Sequence, residues 1–117
     1  MDFVRGDIWW ADLPVPRGSE PGYRRPVIVV QADAFNRSAI RTVLVLVITG
    51  NVRLQRASGN VRIPQGTGGL SRPSVANVSQ LFTLDRRHLV ERVGRLPKGI
   101  REEVDEGLRL VLDLGPI

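Results

Sequence analysis

The residues best suited to chemistry lie in one short segment, 17–26, which reads RGSEPGYRRP. It brings together a hydroxyl, a carboxylate and two adjacent cations, at Ser19, Glu20, Arg24 and Arg25. Arginine presents a planar fork of N–H donors that binds phosphate through two oxygens, and a nearby carboxylate can take up a proton. By composition alone, a solvated loop whose charges pair with one another explains the segment better than catalysis does.

The rest of the composition narrows the chemistry available. The sequence has no cysteine, so thiolate nucleophiles and disulfides are excluded, and its single histidine, His88, cannot form a paired-imidazole site. The acidic run 102–106 is typical of a solvated helix face, and residues 66–69 lack the Lys-Ser/Thr ending of a phosphate-binding loop. We therefore expect no metal and no cofactor. An enzyme with this sequence would work with arginine, serine, threonine and one carboxylate.

The length and charge predict one basic domain, 1–117. The chain has 117 residues, a net charge of +5 and 42% apolar residues, which is typical of a single folded domain. Residues 1–97 carry 14 basic and 7 acidic side chains, whereas residues 98–117 carry 3 and 5. A basic body attracts RNA, DNA or an acidic protein at long range, without choosing among them.

No segment of the sequence reads as a signal peptide or a membrane span. The N-terminus has no basic stretch leading into an apolar run. The longest uninterrupted apolar run, Val43–Ile48, is far shorter than the roughly 20 residues that cross a bilayer. These features predict a soluble, cytoplasmic protein with no membrane partner.

The elements that position the 17–26 segment are mostly strands. Apolar and β-branched runs predict strands at Asp7–Leu13, Arg25–Gln31, Thr42–Thr49, Gly59–Ile63, Ser74–Ala76, Ser79–Phe82 and Leu89–Leu96. Thr42–Thr49 is apolar on both faces and is expected at the centre of the sheet. Pro14–Gly22 is predicted to be a loop longer than a hairpin turn, and residues 52–58 are also predicted to be a loop.

Few segments are predicted to be helical. Asp33–Ser38 reads as a turn or short helix with Asp33 as its N-cap, and Leu84–His88 as a single helical turn. The one long helix is expected from about Lys98 to Asp113, with an apolar stripe of Ile100, Val104, Leu108, Val111 and Leu112. Strands followed by a helix, without βαβ alternation, predict a mainly β, α+β fold, an antiparallel sheet or small barrel with a helix packed on it.

Several short motifs, taken in order, resemble those of the MazF/PemK family of toxin endoribonucleases. They are Arg5-Gly6-Asp7-Ile8-Trp9, Asp12-Leu13, Arg17-Gly18-Ser19-Glu20, Arg25-Pro26-Val27-Ile28-Val29, Ile48-Thr49 and Asp105-Glu106. The match spans the whole chain, and the ordered series in the N-terminal third is its most specific part. The resemblance implies a small SH3-like, PemK-type antiparallel barrel with a C-terminal helix, acting as a homodimer.

The resemblance also implies a reaction and its partners. The family cleaves single-stranded RNA at short sequences without a metal ion and thereby inhibits translation and growth. The 2′-hydroxyl attacks the adjacent phosphate, leaving 2′,3′-cyclic phosphate and 5′-hydroxyl ends. A cognate antitoxin covers the RNA groove with its tail.

The resemblance assigns the catalytic roles to Arg25, at the entrance of a strand, and Thr49, which closes the central strand. Arg25 is expected to act chiefly as an electrostatic clamp, because a guanidinium group is a reluctant acid or base near neutral pH. Glu20 is an alternative general base. The residues expected to bind the substrate or to influence which RNA sequence is cut are Ser19, Glu20, Arg24, Arg53, Ser79 and Gln80.

This sequence departs from the family pattern at two of these places. Pro21 replaces a glutamine that often follows the Ser-Glu pair, and Ser79 stands where glutamate is common. Other readings of the sequence stay open: a toxin that poisons DNA gyrase on the same fold without being an enzyme, an RNA-binding barrel that does not cleave, and an interaction module with no nucleic-acid role.

Overall fold

One antiparallel sheet of six strands, with a helix packed against it, makes up the part of the chain that the computed structural model describes, residues 2–14, 18 and 23–115. The strands are β1 Asp7–Leu13, β2 Tyr23–Val29, β3 Thr42–Thr49, β4 Val61–Ile63, β5 Ser74–Asp85 and β6 Leu89–Arg95. The α-helices are α1 Asp33–Asn36 and α2 Lys98–Leu112, and short 3₁₀ helices lie at Val52–Arg56, Thr67–Gly69 and Arg86–His88. The order across the sheet is β4-β5-β3-β2-β1-β6, and it curls into a half-barrel, which confirms the predicted fold class.

The strand β3 is buried on both faces along most of its length. Leu46 and Ile48 of β3 pack into a core that includes Val104 of α2, whereas Val45 and Val47 of the same strand pack into a second core on the other face. Alternate residues of a strand point to opposite faces, so a strand covered on both sides needs a continuous apolar run. This confirms the central position that the sequence predicts for β3. No helix within the described ranges has the length and apolar character needed to cross a membrane.

The start of the chain ties the sheet to α2. The Arg5 guanidinium donates hydrogen bonds to Asp105 Oδ1 on α2 at 2.8 Å and to the Val30 carbonyl at 2.9 Å. The Arg5 backbone N–H donates to Asp33 Oδ1 at 2.7 Å, and this bond lowers the pKa of Asp33 below its ordinary value. A lowered pKa stabilises the fold only while the carboxylate is ionised, so this stabilisation is lost as the pH falls through the pKa of folded Asp33.

Asp7 is a buried carboxylate that joins the N-terminal residues to β6. Its Oδ1 lies 3.4 Å from Arg92 Nη2 and 3.2 Å from Arg95 Nε. Its Oδ2 accepts hydrogen bonds from the Val4 N–H at 3.0 Å and from the Trp9 indole N–H at 3.4 Å. Both carboxylate oxygens are therefore satisfied by donors of the fold, and the motif around Asp7 is structural.

The sequence predicts two separate strands in the region of β5, and this prediction is wrong. Ser74–Ala76 and Ser79–Phe82 are not separate strands, because β5 runs without a break from Ser74 to Asp85. Its register against β3 shifts between Leu46 and Val47, so extra residues of β5 form a bulge there. The helical turn is correspondingly confined to Arg86–His88.

Two further local predictions are wrong, for related reasons. Ala32, not Asp33, is the N-cap of α1, because the Asp33 carboxylate is already occupied by donors from Arg5 and Asn36. β2 is shifted two residues toward the N-terminus, since the side chain of Gln31 turns inward to bond with Asn36 and with the carbonyl of Thr42.

The predictions for residues 52–58 and for α2 need smaller corrections. Residues 52–56 form a 3₁₀ helix rather than a plain loop. α2 ends at Leu112, where Asp113 adopts a left-handed conformation with φ +55°. Val111 and Leu112 belong to the predicted apolar stripe but are exposed, because the packing of α2 against the sheet ends near Leu108.

Two glycines of α2 provide a matched test of how closely this helix packs. A Cβ on Gly107 would collide with the carbonyl oxygen of Gly59 and lie 3.0 Å from Val78 Cγ1, whereas a Cβ on Gly99 meets nothing within 4 Å. We expect Gly107→Ala to lower the free energy of unfolding by about 1–3 kcal/mol through overpacking. Gly99→Ala is expected to raise it by up to about 1 kcal/mol, because alanine favours the helix. Denaturant unfolding measures both, and equal effects would contradict the close approach.

Candidate active site

Arg25 and Thr49 lie at the same end of two neighbouring strands. The last residues paired between β2 and β3 are Val27 and Val47, and two residues further along each antiparallel strand are Arg25 and Thr49. Side chains two residues apart on a strand share a face. The register therefore brings the two predicted catalytic residues together on one face at one edge of the fold.

Arg25 is held in position by its place in the sheet. It lies in β2 opposite Ala11 of β1 and is half-buried, in contrast to the exposed Arg24 beside it. The following residue, Pro26, restricts Arg25 to extended conformations. An arginine whose backbone is fixed in a strand loses less freedom on binding a ligand than one on a mobile loop.

The Thr49 hydroxyl is oriented by the turn that follows β3. Its Oγ1 accepts a hydrogen bond from the Asn51 N–H at 3.1 Å, and Asn51 Oδ1 in turn accepts from the Arg53 N–H at 3.2 Å. A hydroxyl has one proton to donate besides its acceptor sites. Because its hydrogen bond to Asn51 uses only an acceptor site, Thr49 can still donate its proton to a ligand oxygen.

A cavity of about 590 Å³ opens at the same end of β2 and β3, and Arg25 borders it. Its walls contain the guanidinium-bearing residues Arg24, Arg25 and Arg72 and the aromatic residues Trp10 and Tyr23, with no acidic residue among the lining side chains of the described part. Thr49 does not line the cavity itself, although both of its neighbours in the chain do. Arginines interleaved with aromatic rings suit a single-stranded nucleic acid, because cations bind phosphates and rings stack on bases.

Arg72 is a site residue that the sequence reading missed. A Cβ on Gly50 would lie 3.6 Å from Arg72 Nη1, so this guanidinium lies over the residue that follows Thr49. The Arg72 carbonyl accepts a hydrogen bond from the hydroxyl of buried Ser74 at 3.0 Å, which fixes the backbone there. A signal was present in the sequence, because Arg72-Pro73 repeats the dipeptide Arg25-Pro26.

Ser79 and Gln80 lie inside β5, at its bulge, and not ahead of a late strand. Both side chains form hydrogen bonds with Asn77, which is 8% exposed and pairs with Val47 of β3. Ser79 Oγ donates to Asn77 Oδ1 at 2.9 Å, and Asn77 Nδ2 donates to Gln80 Oε1 at 3.1 Å. Asn77 was missed because an isolated asparagine in an apolar strand gives no motif.

The other predicted substrate-binding residues have different outcomes. Ser19 and Glu20 lie outside the described residues. Arg24 lies at the cavity, where its Nη2 pairs with Glu91 Oε2 at 3.1 Å. Arg53 is exposed on the 3₁₀ helix Val52–Arg56, joined to Thr49 through Asn51. In the described part of the chain, histidine, aspartate and glutamate side chains nowhere gather in threes that could hold a metal ion.

A curled antiparallel sheet with an arginine-lined, aromatic cavity at one end defines a small domain suited to nucleic acids. A family model described as the PemK-like, MazF-like toxin of type II toxin-antitoxin systems matches residues 4–112. The chain therefore belongs to the PemK/MazF family, which confirms the resemblance seen in its motifs.

Individual relatives agree with this assignment. The chain is 49% identical over 114 residues to Endoribonuclease MazF6 of Mycobacterium tuberculosis, covering 97% of this chain and 100% of that protein. It is 36% identical over 114 residues to Endoribonuclease EndoA of Bacillus subtilis, covering 97% of each. A solved structure described as an endoribonuclease in complex with its cognate antitoxin, from a mycobacterial species, shares the fold with a TM-score of 0.75 at 18% identity, over 97% of this chain and 96% of that one.

Proposed function

We propose that this MazF-family toxin is an endoribonuclease that cleaves single-stranded mRNA without a metal ion and so inhibits translation and growth. The observation that carries the mechanism is the register that brings Arg25 and Thr49 to one end of adjacent strands, beside a basic cavity. Relatives that are 49% and 36% identical and bear the name endoribonuclease support the same activity.

The reaction needs positioning and charge stabilisation more than an external nucleophile. The 2′-hydroxyl of the RNA attacks the adjacent phosphorus, the bond to the 5′-oxygen breaks, and the products carry a 2′,3′-cyclic phosphate and a 5′-hydroxyl. A site must therefore hold the nucleotide splayed for in-line attack and neutralise the additional charge on the phosphoryl oxygens.

Arg25 and Thr49 divide this work between them. The Arg25 fork can donate to two phosphoryl oxygens at once, and these bonds strengthen as negative charge builds on the oxygens. Thr49 donates its hydroxyl proton to the same phosphoryl group, and the hydrogen bond from the Asn51 N–H sets the orientation of the hydroxyl. Arg72, lying over Gly50, adds a second cation close to this position.

Two protons have to move, one from the 2′-hydroxyl and one to the departing 5′-oxygen. Arginine is a reluctant proton donor and proton acceptor near neutral pH, so Arg25 acts chiefly as a clamp on the phosphate. Glu20 is the alternative base. Specificity for a short sequence is assigned to Ser19, Arg24, Arg53, Ser79 and Gln80, which read bases that a duplex would hide.

The partners follow from the same assignment. Membership of a type II toxin-antitoxin family and the likeness to an endoribonuclease described with its antitoxin support a cognate antitoxin protein as the regulator of this chain. We also infer a homodimer and a cytoplasmic location, where the mRNA substrate is found.

One incubation separates this activity from its rivals. Purified protein mixed with a long single-stranded RNA in EDTA should give discrete fragments, each mapped by sequencing its 5′ end. Intact RNA together with inhibition of DNA gyrase would instead indicate the non-enzymatic toxin. RNA that is retarded in a gel without being cut would indicate a binding barrel.

A further inference from the structure

The tyrosine that opens β2 has an unusual backbone. Tyr23 has φ +62°, in the left-handed region, and the residue is 66% exposed. A residue with a Cβ is disfavoured in this region, and an exposed ring gains little from packing in return. Strained positions of this kind are concentrated at binding and catalytic sites, where the surrounding structure maintains them.

A second planar group lies at the same cavity. The Arg24 guanidinium carbon is 5.3 Å from the centroid of the Trp10 ring, and Arg24 Nη2 bonds to Glu91 Oε2 at 3.1 Å. The ring beneath it and the carboxylate beside it hold the guanidinium in place. The side chain of Arg24 nevertheless remains 53% exposed, so a ligand can still reach it.

These planar groups share one cavity with the proposed clamp. Tyr23, Trp10 and Arg24 line the cavity of about 590 Å³ that Arg25 also borders. Aromatic rings and guanidinium planes are the surfaces on which bases of single-stranded RNA stack. The exposed Ser71 adds a hydroxyl to the same wall, which can bond to the edge of a base.

We propose that Tyr23 and the Arg24–Trp10 pair form a stacking subsite for the unpaired base next to the scissile phosphate. This inference rests on the proposed endoribonuclease activity and names the part of the site that holds the base. RNA is favoured over a protein segment because the cavity combines three arginines with two rings, a combination that binds phosphate and base together.

The left-handed backbone makes Tyr23→Gly an informative variant. Glycine adopts φ +62° without strain, so the melting temperature should hold or rise, whereas RNA affinity should fall about 5- to 100-fold through loss of one stacking partner. Tyr23→Phe keeps the ring and should bind RNA within about twofold of the original chain. Phe35→Ala, at an exposed ring beyond the opposite end of β2, serves as the matched control and should leave RNA affinity unchanged.

The probe is an oligonucleotide of the mapped cleavage sequence with a 2′-O-methyl group on every sugar, which cannot be cut. Its affinity is measured by fluorescence anisotropy, and the cleavage of unmodified RNA is followed in parallel. The expected result is a weaker Kd and a higher KM for Tyr23→Gly, with kcat changed less than about threefold.

Three outcomes would overturn the proposed stacking subsite, and a fourth would overturn the proposed endoribonuclease activity. Unchanged RNA affinity in Tyr23→Gly would overturn the subsite, as would a loss in Tyr23→Phe equal to that in Tyr23→Gly. Loss of antitoxin binding with intact RNA binding would assign the cavity to the protein partner instead. If the original chain cuts no RNA, the proposed endoribonuclease function fails before the subsite is tested.

Discussion

Replacing Arg25 by alanine is expected to lower the rate of RNA cleavage by about 10²–10³-fold. The guanidinium is the group that we place on the phosphoryl oxygens, because the register of β2 and β3 brings Arg25 to the same end of the sheet as Thr49. Its contribution grows toward the transition state, so kcat should fall more than KM rises. Single-turnover cleavage of a labelled RNA in EDTA measures the effect.

Arg25→Lys separates the two roles that this arginine could have. If fork geometry matters, lysine should lose nearly as much activity as alanine, because an ammonium group cannot bind two oxygens in a fixed plane. A rate that instead follows the ionisation of the introduced lysine would support proton transfer by this residue. Arg87→Ala, at a side chain 79% exposed beyond the far end of β5, is the matched control and should keep full activity. Equal activity of Arg25→Ala and Arg87→Ala would contradict the assignment.

The second large effect concerns stability rather than catalysis. Asp7→Asn is expected to lower the free energy of unfolding by about 2–4 kcal/mol, because a buried charge that satisfies several donors is replaced by a group that brings donors of its own. The introduced amide would face Arg92 and Arg95, or else leave the Val4 N–H or the Trp9 indole without an acceptor. For a domain of this size the melting temperature should fall by about 8–16 °C.

A control for Asp7 lies on the same strand. Asp12 of β1 is exposed, and Asp12→Asn should change the free energy of unfolding by less than about 0.5 kcal/mol. Thermal unfolding of both variants at neutral pH makes the comparison. A melting temperature for Asp7→Asn within one or two degrees of that for Asp12→Asn would show that the buried carboxylate does not hold β6 to the N-terminus.

The fold is easiest to predict from the sequence where a run of apolar residues has to be buried. The run Thr42–Thr49 has no polar side to expose, so it has to be central, and the structure confirms this. The sequence predicts local structure less well where a polar side chain bonds to a residue far away in the chain. Asp33 reads as a helix cap, but its carboxylate is bound by Arg5, and that contact becomes visible only after the chain has folded.

In the candidate site, too, some residues could be predicted from motifs, whereas others could be recognised only in the folded structure. The resemblance places Arg25 and Thr49 in two strands, and the register of the sheet then brings them together. Asn77 and Trp10 were missed because their roles depend on which segments meet, and each looks like an ordinary residue of its own segment. Arg72 was missed although its dipeptide with Pro73 repeats Arg25-Pro26. The strain at Tyr23 is a property of the backbone, which the residue type does not reveal.

A crystal structure of this protein with its mapped RNA, carrying a single 2′-deoxy substitution at the nucleotide whose hydroxyl attacks, would locate the scissile phosphate. We predict that the phosphate following that nucleotide lies within hydrogen-bond distance of both the Arg25 guanidinium and the Thr49 hydroxyl. A scissile phosphate bound elsewhere, with Arg25 and Thr49 contacting different groups or none, would contradict the proposed mechanism.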